Sequence, residues 1–438
     1  MEESKIFEIL DTWNFWTREQ YVGVQRKKYL DVIRPFLKTN QAVALTGVRR
    51  SGKSTIMVQL AKELIDSKVD PKNILIINLE DYRWEECSLS LLEQIYGVYL
   101  KKVNKSRPFY FFLDEIHRVP SWERFVRTLI DKKEAKIILS DSNTHIMSRE
   151  LGTLLTGRHV EITVFPPSFE EFLEFRGLHI SSEIEAVGKK LDIKKLIDEA
   201  MAYGFFPEVL LTDDEAVKKK IIVEYLESII TRDVAERHRI KEKEKLRSLT
   251  RFYLTSSSSP ISFNKLKEPL HLPLRTIERF SYYLEEAYVL AFLKRFSYKV
   301  KEQEKSPRKV YSIDLGLMNA YGFYFMENKS RIMENFVFLE LIKKGKEIYY
   351  WKNVGQEEVD FVVKEGIKVV QLIQVCFNIQ EEKTKQREIK ALIKASKELR
   401  CSRLLIITSD HEGEEKVEWF GDQAIIKYIP LWKWLLEK

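Results

Sequence analysis

The apolar positions of this chain form short unbroken runs in its first third and longer helical patterns beyond. Residues 42 to 46, AVALT, suit a strand buried on both faces. They lead through GVRRSGKST into IMVQLAKELID, whose apolar residues recur at helical spacing. The strand pattern returns in NILIINLED, RPFYFFLDEIHRV and AKIILSDSN, and MSRELGTLLTGRHVEITVF reads as a helix and a fifth strand. Strands alternating with helices predict an α/β fold around a parallel sheet.

Further on the pattern changes. From about 181 to 245 the chain is rich in helix formers, with no strand pattern as clear as those before. Between 246 and 313, helical KLRSLTRFYLTSS, SFNKLKEPL and LPLRTIERFSYYLEEAYVL precede two strands, AFLKRFS and RKVYSID, joined by a basic hinge. From 330 onwards SRIMENFVFLELIKKGKEIYYWKN predicts a helix and a strand, followed by strands VDFVV and VVQLIQVCFNI, helix TKQREIKALIKASKELR and strand RLLIITSD.

Size and composition set the frame for these elements. The 438 residues exceed what one core organises and predict several domains, each of ~100–200 residues. A hydrophobic fraction of 44% with 12% aromatics is enough to fill those cores and excludes a disordered chain. No apolar run reaches the ~18 residues of a membrane span, and the opening MEESKIFEILDTW lacks the basic head and apolar centre of a signal peptide. A cytoplasmic protein is expected. Cys87, Cys376 and Cys401 match no zinc spacing and lie too far apart in sequence to suggest disulfides. Heavy use of Lys and Glu leans towards a thermophile. The net charge of +7 is uneven: residues 231 to 310 hold 19 Lys/Arg against 10 Asp/Glu, and such a local basic surface suits a polyanion.

The stretch after AVALT carries the clearest chemistry. In Gly47, Val48, Arg49, Arg50, Ser51, Gly52, Lys53, Ser54 and Thr55, the two glycines let backbone N–H groups turn inward around phosphates, with the following helix directing its positive end at them. Lys53 reaches the β/γ-phosphates of ATP or ADP, and the Ser54 hydroxyl can hold Mg2+. The third strand ends in Asp114, placed to order the Mg2+ shell, and Glu115, free to polarise an attacking water. His117 reads better as a packing or capping residue than as a catalytic one. In the polar cluster after the fourth strand, Ser142 or Asn143 can bond the γ-phosphate or attacking water, or simply cap a helix. Arg149 and Arg158 are candidates for a charge supplied to a neighbouring copy's nucleotide, with surface ion pairs as the alternative.

The motifs GVRRSGKST, FFLDEIHRVPSWE, LTGRHVEITVFPPSFEEFLEF, YGFFPEVLL and YLESIITRDV, in this order, resemble prokaryotic ATPases of the AAA+ superfamily that carry a tail of unknown function, most of all the archaeal branch. The resemblance spans nearly the whole chain. It implies an AAA+ P-loop NTPase core at 21–178 after an N-terminal extension at 1–20, and a helical lid at 179–245. The three helices and two strands of 246–313 are the parts of a winged helix-turn-helix, and the tail's order of helix, three-strand meander, helix and strand resembles the PD-(D/E)XK nuclease-like, restriction-endonuclease-like α/β fold, placed at 314–438. In related ATPases the stretch GVQRKKYLDVIRPFL lies over the adenine, which makes Gly23 and Arg26 base-pocket candidates. A homo-oligomer is implied because AAA+ sites usually take an arginine from the next subunit.

Within the winged helix, Arg275, Thr276 and Arg279 lie on the exposed face of the helix that would enter a major groove, and Lys299 and Arg308 belong to the linker that could lie against phosphates. Such modules also dock proteins. In the tail, an active nuclease of this fold holds Mg2+ with a helix acid, a strand acid and an acid-x-Lys pair. Here Glu334 and Asp360 match the first two, but Gln374 stands at the second strand acid and Cys376 at the lysine. Gln adds no charge, and a thiol neither prefers Mg2+ nor replaces an ammonium. The tail is therefore expected to be catalytically degenerate and to bind instead of cut.

Together these features predict a Mg2+-dependent ATPase that remodels DNA, most concretely branched DNA such as a Holliday junction, in repair or recombination. A nucleotide-switched signalling or scaffold protein is the alternative, and a metal-dependent nuclease the third reading.

Overall fold

A computed structural model of the chain describes residues 1–141, 157–321, 329–419 and 422–437. Their contacts gather into two units, residues 1–166 and 167–438.

In the first unit Ala42–Thr46 forms β1, and all five residues are buried, as a run without polar alternation requires. It joins β2 (Ile74–Asn78), β3 (Phe109–Asp114), β4 (Ala135–Ser140) and β5 (His159–Thr163) in one parallel sheet of order β2-β3-β4-β1-β5. Strand β4 thus separates β1 from β3, with Ile138 facing Val43 on one side and Phe112 on the other. On one face Ala44, Ile77, Phe111 and Leu113 pack with Ile9, Leu92, Ile95, Val126 and their neighbours from three helices. On the other, Val43, Leu45, Phe112 and Ile138 pack with Leu30, Ile56 and Leu60. The first 20 residues, expected as an extension, are part of this unit. Helix Glu3–Trp13 buries Ile6, Ile9 and Leu10, and the Asn14 amide bonds both the N–H of Ile76, at 2.8 Å, and its carbonyl, at 2.9 Å.

The second unit opens on helix Phe169–Phe175, whose capping box pairs Ser168 with Glu171. Phe172 packs on Phe205, and both Phe169 and Phe205 on Phe336, with ring centroids 5.2 to 6.0 Å apart. This aromatic cluster is why the contacts divide at 166/167 and not at the expected 178/179. Helices Glu183–Gly188, Lys190–Tyr203, Pro207–Leu211 and Glu215–Ser228 follow, and the last runs on as a π-helix over Ile229–Glu236. Next come helices Lys243–Thr255, Lys267–Leu270 and Leu274–Glu286 with β6 (Ser259–Ile261), β7 (Leu290–Leu293) and β8 (Arg308–Ser312), an antiparallel sheet of order β6-β8-β7. The basic hinge between β7 and β8 contains a short helix, Val300–Lys305.

The tail places helix Lys329–Lys343 before an antiparallel meander of β9 (Glu347–Lys352), β10 (Glu358–Glu365) and β11 (Lys368–Cys376). After helix Glu382–Leu399, β12 (Leu404–Thr408) joins β11 in parallel. Two strands that the sequence reading did not contain, β13 (Gly413–Trp419) and β14 (Asp422–Pro430), complete the sheet in the order β13-β14-β12-β11-β10-β9. One sheet face carries Phe361, Val363, Ile373 and Ile407 into the core that holds Phe169, Phe205 and Phe336. The other carries Val359, Val362, Leu372 and Ile406 against Leu392 and Ile393. Among the described residues no helix is long and apolar enough to cross a membrane.

Candidate functional site

The phosphate loop connects β1 to helix Lys53–Asp66, and its two glycines do different work. Gly47 has φ +133°, and a Cβ there would meet the Val164 carbonyl oxygen at 2.1 Å, so only glycine fits beside the chain leaving β5. Gly52, at φ +95°, caps the helix without a side-chain bond, which leaves the first helical N–H groups to an anion. Lys53 is buried, and its ammonium donates to the carbonyls of Gly47 at 2.9 Å and Val48 at 3.1 Å, bridging the loop from within. The Ser51 hydroxyl is buried with no partner among the described residues, while Arg50, Ser54 and half-buried Thr55 face outward. Arg49 pairs with Glu80 at 2.5 Å.

Asp114 and Glu115 are both buried at the end of β3. The Ser140 hydroxyl, at the end of neighbouring β4, donates to Asp114 Oδ1 and accepts the Glu115 N–H at 2.9 Å. Glu115 takes a left-handed conformation, φ 54°, which turns the chain sharply after β3. Burial pushes both carboxyls above their ordinary range, while Ser140, Ser54 and the Lys53 charge pull Asp114 down and Lys53 acts likewise on Glu115. A carboxyl raised in this way gains from a nearby cation. Asp114 with the Ser54 hydroxyl is a donor set that fits Mg2+, a hard oxygen-seeking ion. His117 Nδ1 lies 3.3 Å from Glu115 Oε2 and 3.2 Å from Asp141 Oδ1, so the imidazole stands between the two acids.

Other candidates lie around this centre. Arg26 is buried, and its guanidinium donates to the carbonyls of Ser51 at 2.8 Å and Phe165 at 3.0 Å, which ties the phosphate loop to the chain after β5. The Gln59 amide holds the carbonyls of Val22 and Val24, and a Cβ on Gly23 would touch Thr55 at 3.3 Å, so the lead-in segment borders the loop. Arg158 is partly exposed and pairs with Asp131 at 2.8 Å. Ser142, Asn143 and Arg149 lie outside the described residues.

In the second unit, Arg275 and Arg279 are exposed and Thr276 half-buried on helix Leu274–Glu286, whose opposite face buries Ile277, Phe280 and Leu284. Lys299 pairs with Glu302 at 3.1 Å and Arg308 with Glu304 at 3.0 Å, so the linker's charge is partly compensated locally.

The tail candidates do come together. Asp360 Oδ2 accepts the Val375 N–H at 3.0 Å, and Gln374 accepts the Asp360 N–H at 3.2 Å while donating to Glu388 at 2.5 Å. The Cys376 thiol is buried and pushed up to about 12, mainly by burial and then by Glu388. Into this cluster comes Lys309 of β8, which the sequence reading missed. Its ammonium is 1% exposed and lies 2.9 Å from Glu334, 2.8 Å from Glu358 and 2.8 Å from Asp360. Tyr311, on the same face of β8, donates to Glu334 at 2.7 Å. Burial acts to discharge Lys309, but the carboxylates, Asp360 and Glu334 foremost, outweigh it and hold the ammonium well above its ordinary range. Polar Lys309 alternating with Val310 and Tyr311 was the available sequence hint, yet the same pattern fits a solvent-facing edge.

The residues missed near the nucleotide, Ser140 and Asp141, stand just before Ser142 in a stretch already singled out. Comparison with known proteins places this geometry. A family model of an AAA domain matches residues 39–173, and models of two domains of unknown function, DUF8612 and DUF4143, match residues 194–326 and 329–434. The chain is 34% identical over 408 residues to the uncharacterized protein MJ1544 of Methanocaldococcus jannaschii, covering 91% of this chain and 88% of that one. An uncharacterized protein of Haemophilus influenzae is 29% identical, over 82% of this chain and 88% of its own length. Among solved structures, the Walker-type ATPase PABY2304 of Pyrococcus abyssi is 14% identical over 68% of this chain and 95% of that one, with a TM-score of 0.42, at which the likeness adds nothing to the assignment. The chain belongs to one family with the M. jannaschii protein and, through the domain that carries its phosphate loop and paired acids, to the nucleotide-binding AAA+ ATPase superfamily.

Proposed function

We propose that this chain hydrolyses ATP with Mg2+ and uses the turnover to remodel DNA, most concretely branched DNA such as a Holliday junction. The observation that carries the hydrolytic half is the Ser140 hydroxyl held between Asp114 and the Glu115 amide, beside the buried Lys53. In this reading Lys53 exchanges the Gly47 and Val48 carbonyls for the β/γ-phosphates. Ser54 and Asp114 hold Mg2+, which offsets the negative charge of the phosphoryl oxygens when bound. Glu115 takes the proton of the attacking water. Ser142 or Asn143 contacts the γ-phosphate. Arg158 leaves Asp131 to serve the nucleotide of a neighbouring copy, which makes the active form a homo-oligomer.

The DNA half rests on residues 246–313 acting as a winged helix, with exposed Arg275, Thr276 and Arg279 at the groove and Lys299 and Arg308 along the backbone. Residues 314–438 act as a nuclease-like fold kept for grip, since Gln374 and Cys376 replace the charged pair that cutting needs. The deciding experiment measures ATP turnover with single-stranded, duplex and four-way DNA, in the wild type and in Lys53→Ala. Turnover stimulated by four-way DNA and abolished in Lys53→Ala supports the reading. Slow turnover with retained ADP and no response to DNA sinks it, in favour of a nucleotide-switched scaffold. The local pairing of Lys299 and Arg308 with glutamates gives that second reading its support. Incubation with Mg2+ or Mn2+ and branched DNA should yield no cleavage, and cuts abolished by Asp360→Ala would restore the nuclease reading.

A further inference from the structure

Lys309 has no part in the nucleotide chemistry or in the groove contacts. Its three acid partners come from elsewhere: Glu334 from helix Lys329–Lys343, and Glu358 and Asp360 from β10. The ammonium donates to Glu334 at 2.9 Å and to Asp360 at 2.8 Å, and a third acid oxygen, of Glu358, pairs with it at 2.8 Å. The cage is otherwise closed by bonds of its own. Tyr311 and Val375 bond Glu334 and Asp360, and Lys352 bonds the second oxygen of Glu358 at 3.1 Å. Acids converging on one point, with Asp360 buried and Glu334 and Glu358 partly so, need a positive charge there. A set of oxygens from separate elements is also what a hard divalent cation requires. The charge present is a side chain from a different sheet, buried to 1% exposure.

We propose that the Lys309 ammonium is a built-in cation, occupying the place in the tail's acid cage that a divalent metal would otherwise take. While β8 is docked the cage is closed to metal, and the ammonium fastens the β6-β8-β7 sheet to the tail. Metal binding and the seating of Lys309 exclude each other. The inference needs no nucleotide and stands apart from the proposed ATP chemistry.

The test is a Mn2+ titration of the nucleotide-free full-length chain, following free Mn2+ by electron paramagnetic resonance. Wild type and Asp360→Asn should take up Mn2+ alike, because the cage is closed in both. Lys309→Met should gain one site, tighter than any in the wild type by on the order of tenfold or more once the repelling charge is gone. The double variant Lys309→Met/Asp360→Asn should lose it. No gain in Lys309→Met, or a gain that survives Asp360→Asn, overturns the proposal. Where Lys309→Met does not fold, the first pair decides, since a wild-type site removed by Asp360→Asn shows a cage already open to metal, whereas identical uptake supports closure.

Discussion

A serine hydroxyl has one proton to give and lone pairs to accept with, and Ser140 uses both between Asp114 and Glu115. Ser140→Ala should therefore weaken two groups together, taking one of the donors from Asp114, which keeps Ser54, and the acceptor from the Glu115 amide. Glu115→Gln keeps the shape and removes the base, so nucleotide binding should persist while turnover falls by ~10²–10⁴-fold, read by equilibrium binding beside steady-state hydrolysis. Gly47→Ala combines a forbidden backbone angle with a collision at the Val164 carbonyl. It should cost at least about 1–3 kcal/mol in chemical denaturation. At this scale the sequence was informative where the chemistry is local. Lys53, Asp114 and Glu115 sit next to one another in a phosphate loop or at the end of one strand. Ser140, Asp141 and Lys309 were not legible as site residues, because their roles arise from strand order and from pairing across the chain.

Elements were legible in proportion to their apolar pattern. The runs AVALT and ILIIN gave β1 and β2 because burial on both faces leaves no polar alternation to confuse. Strand β13, GEEKVEW, escaped notice because it is an edge strand rich in charge, which protects an open edge from pairing but hides the strand. Helix Glu3–Trp13 looked like an extension because only its packing on β2 reveals that it belongs to the core. The contacts divide ahead of the expected end of the core because Phe169 and Phe172 find their partners far along the chain, at Phe336 and Phe205. Phe336→Ala should remove the centre of that cluster and cost about 3–5 kcal/mol in denaturant unfolding.

Asp314 gives the second unit a dependence on pH. Its carboxylate accepts the N–H groups of Phe205 at 2.7 Å and Gly316 at 2.8 Å, joining the turn after β8 to the end of helix Lys190–Tyr203. Burial outweighs these bonds and raises its pKa from 3.8 to about 6. The folded state thus holds this proton more tightly than the unfolded one. The stability it adds is complete below 3.8 and is lost as pH rises through about 6, a change on the order of 3 kcal/mol. Asn at this position cannot titrate. Thermal unfolding across that window should show the wild type losing ground to Asp314→Asn as pH rises.

At the scale of the whole molecule, charge is the property most open to test. The net +7 is concentrated between residues 231 and 310, but Lys299, Arg308 and Lys294 spend part of it on nearby glutamates. Arg275 and Arg279 project from the exposed face of their helix. If they contact phosphates, Arg275→Ala and Arg279→Ala should each lower the log–log salt slope of DNA binding by about 1, weakening different DNA sequences alike. Contact with base edges would instead change sequence preference, with little effect on the slope.

Lys309 has a further consequence, for the order in which the chain is made. The ribosome delivers β8 before any of the acids that neutralise it, and Asp360 follows 51 residues later. At a synthesis rate of about 5–20 residues/s the lysine waits several seconds for its partners. During that interval the β6-β8-β7 sheet can form its ladder but cannot bury the ammonium without leaving a charge unmatched. Completion of β8 is thereby tied to arrival of β10. A chain ending before residue 358 would hold Glu334 alone of the three acids and leave the ammonium without Glu358 and Asp360.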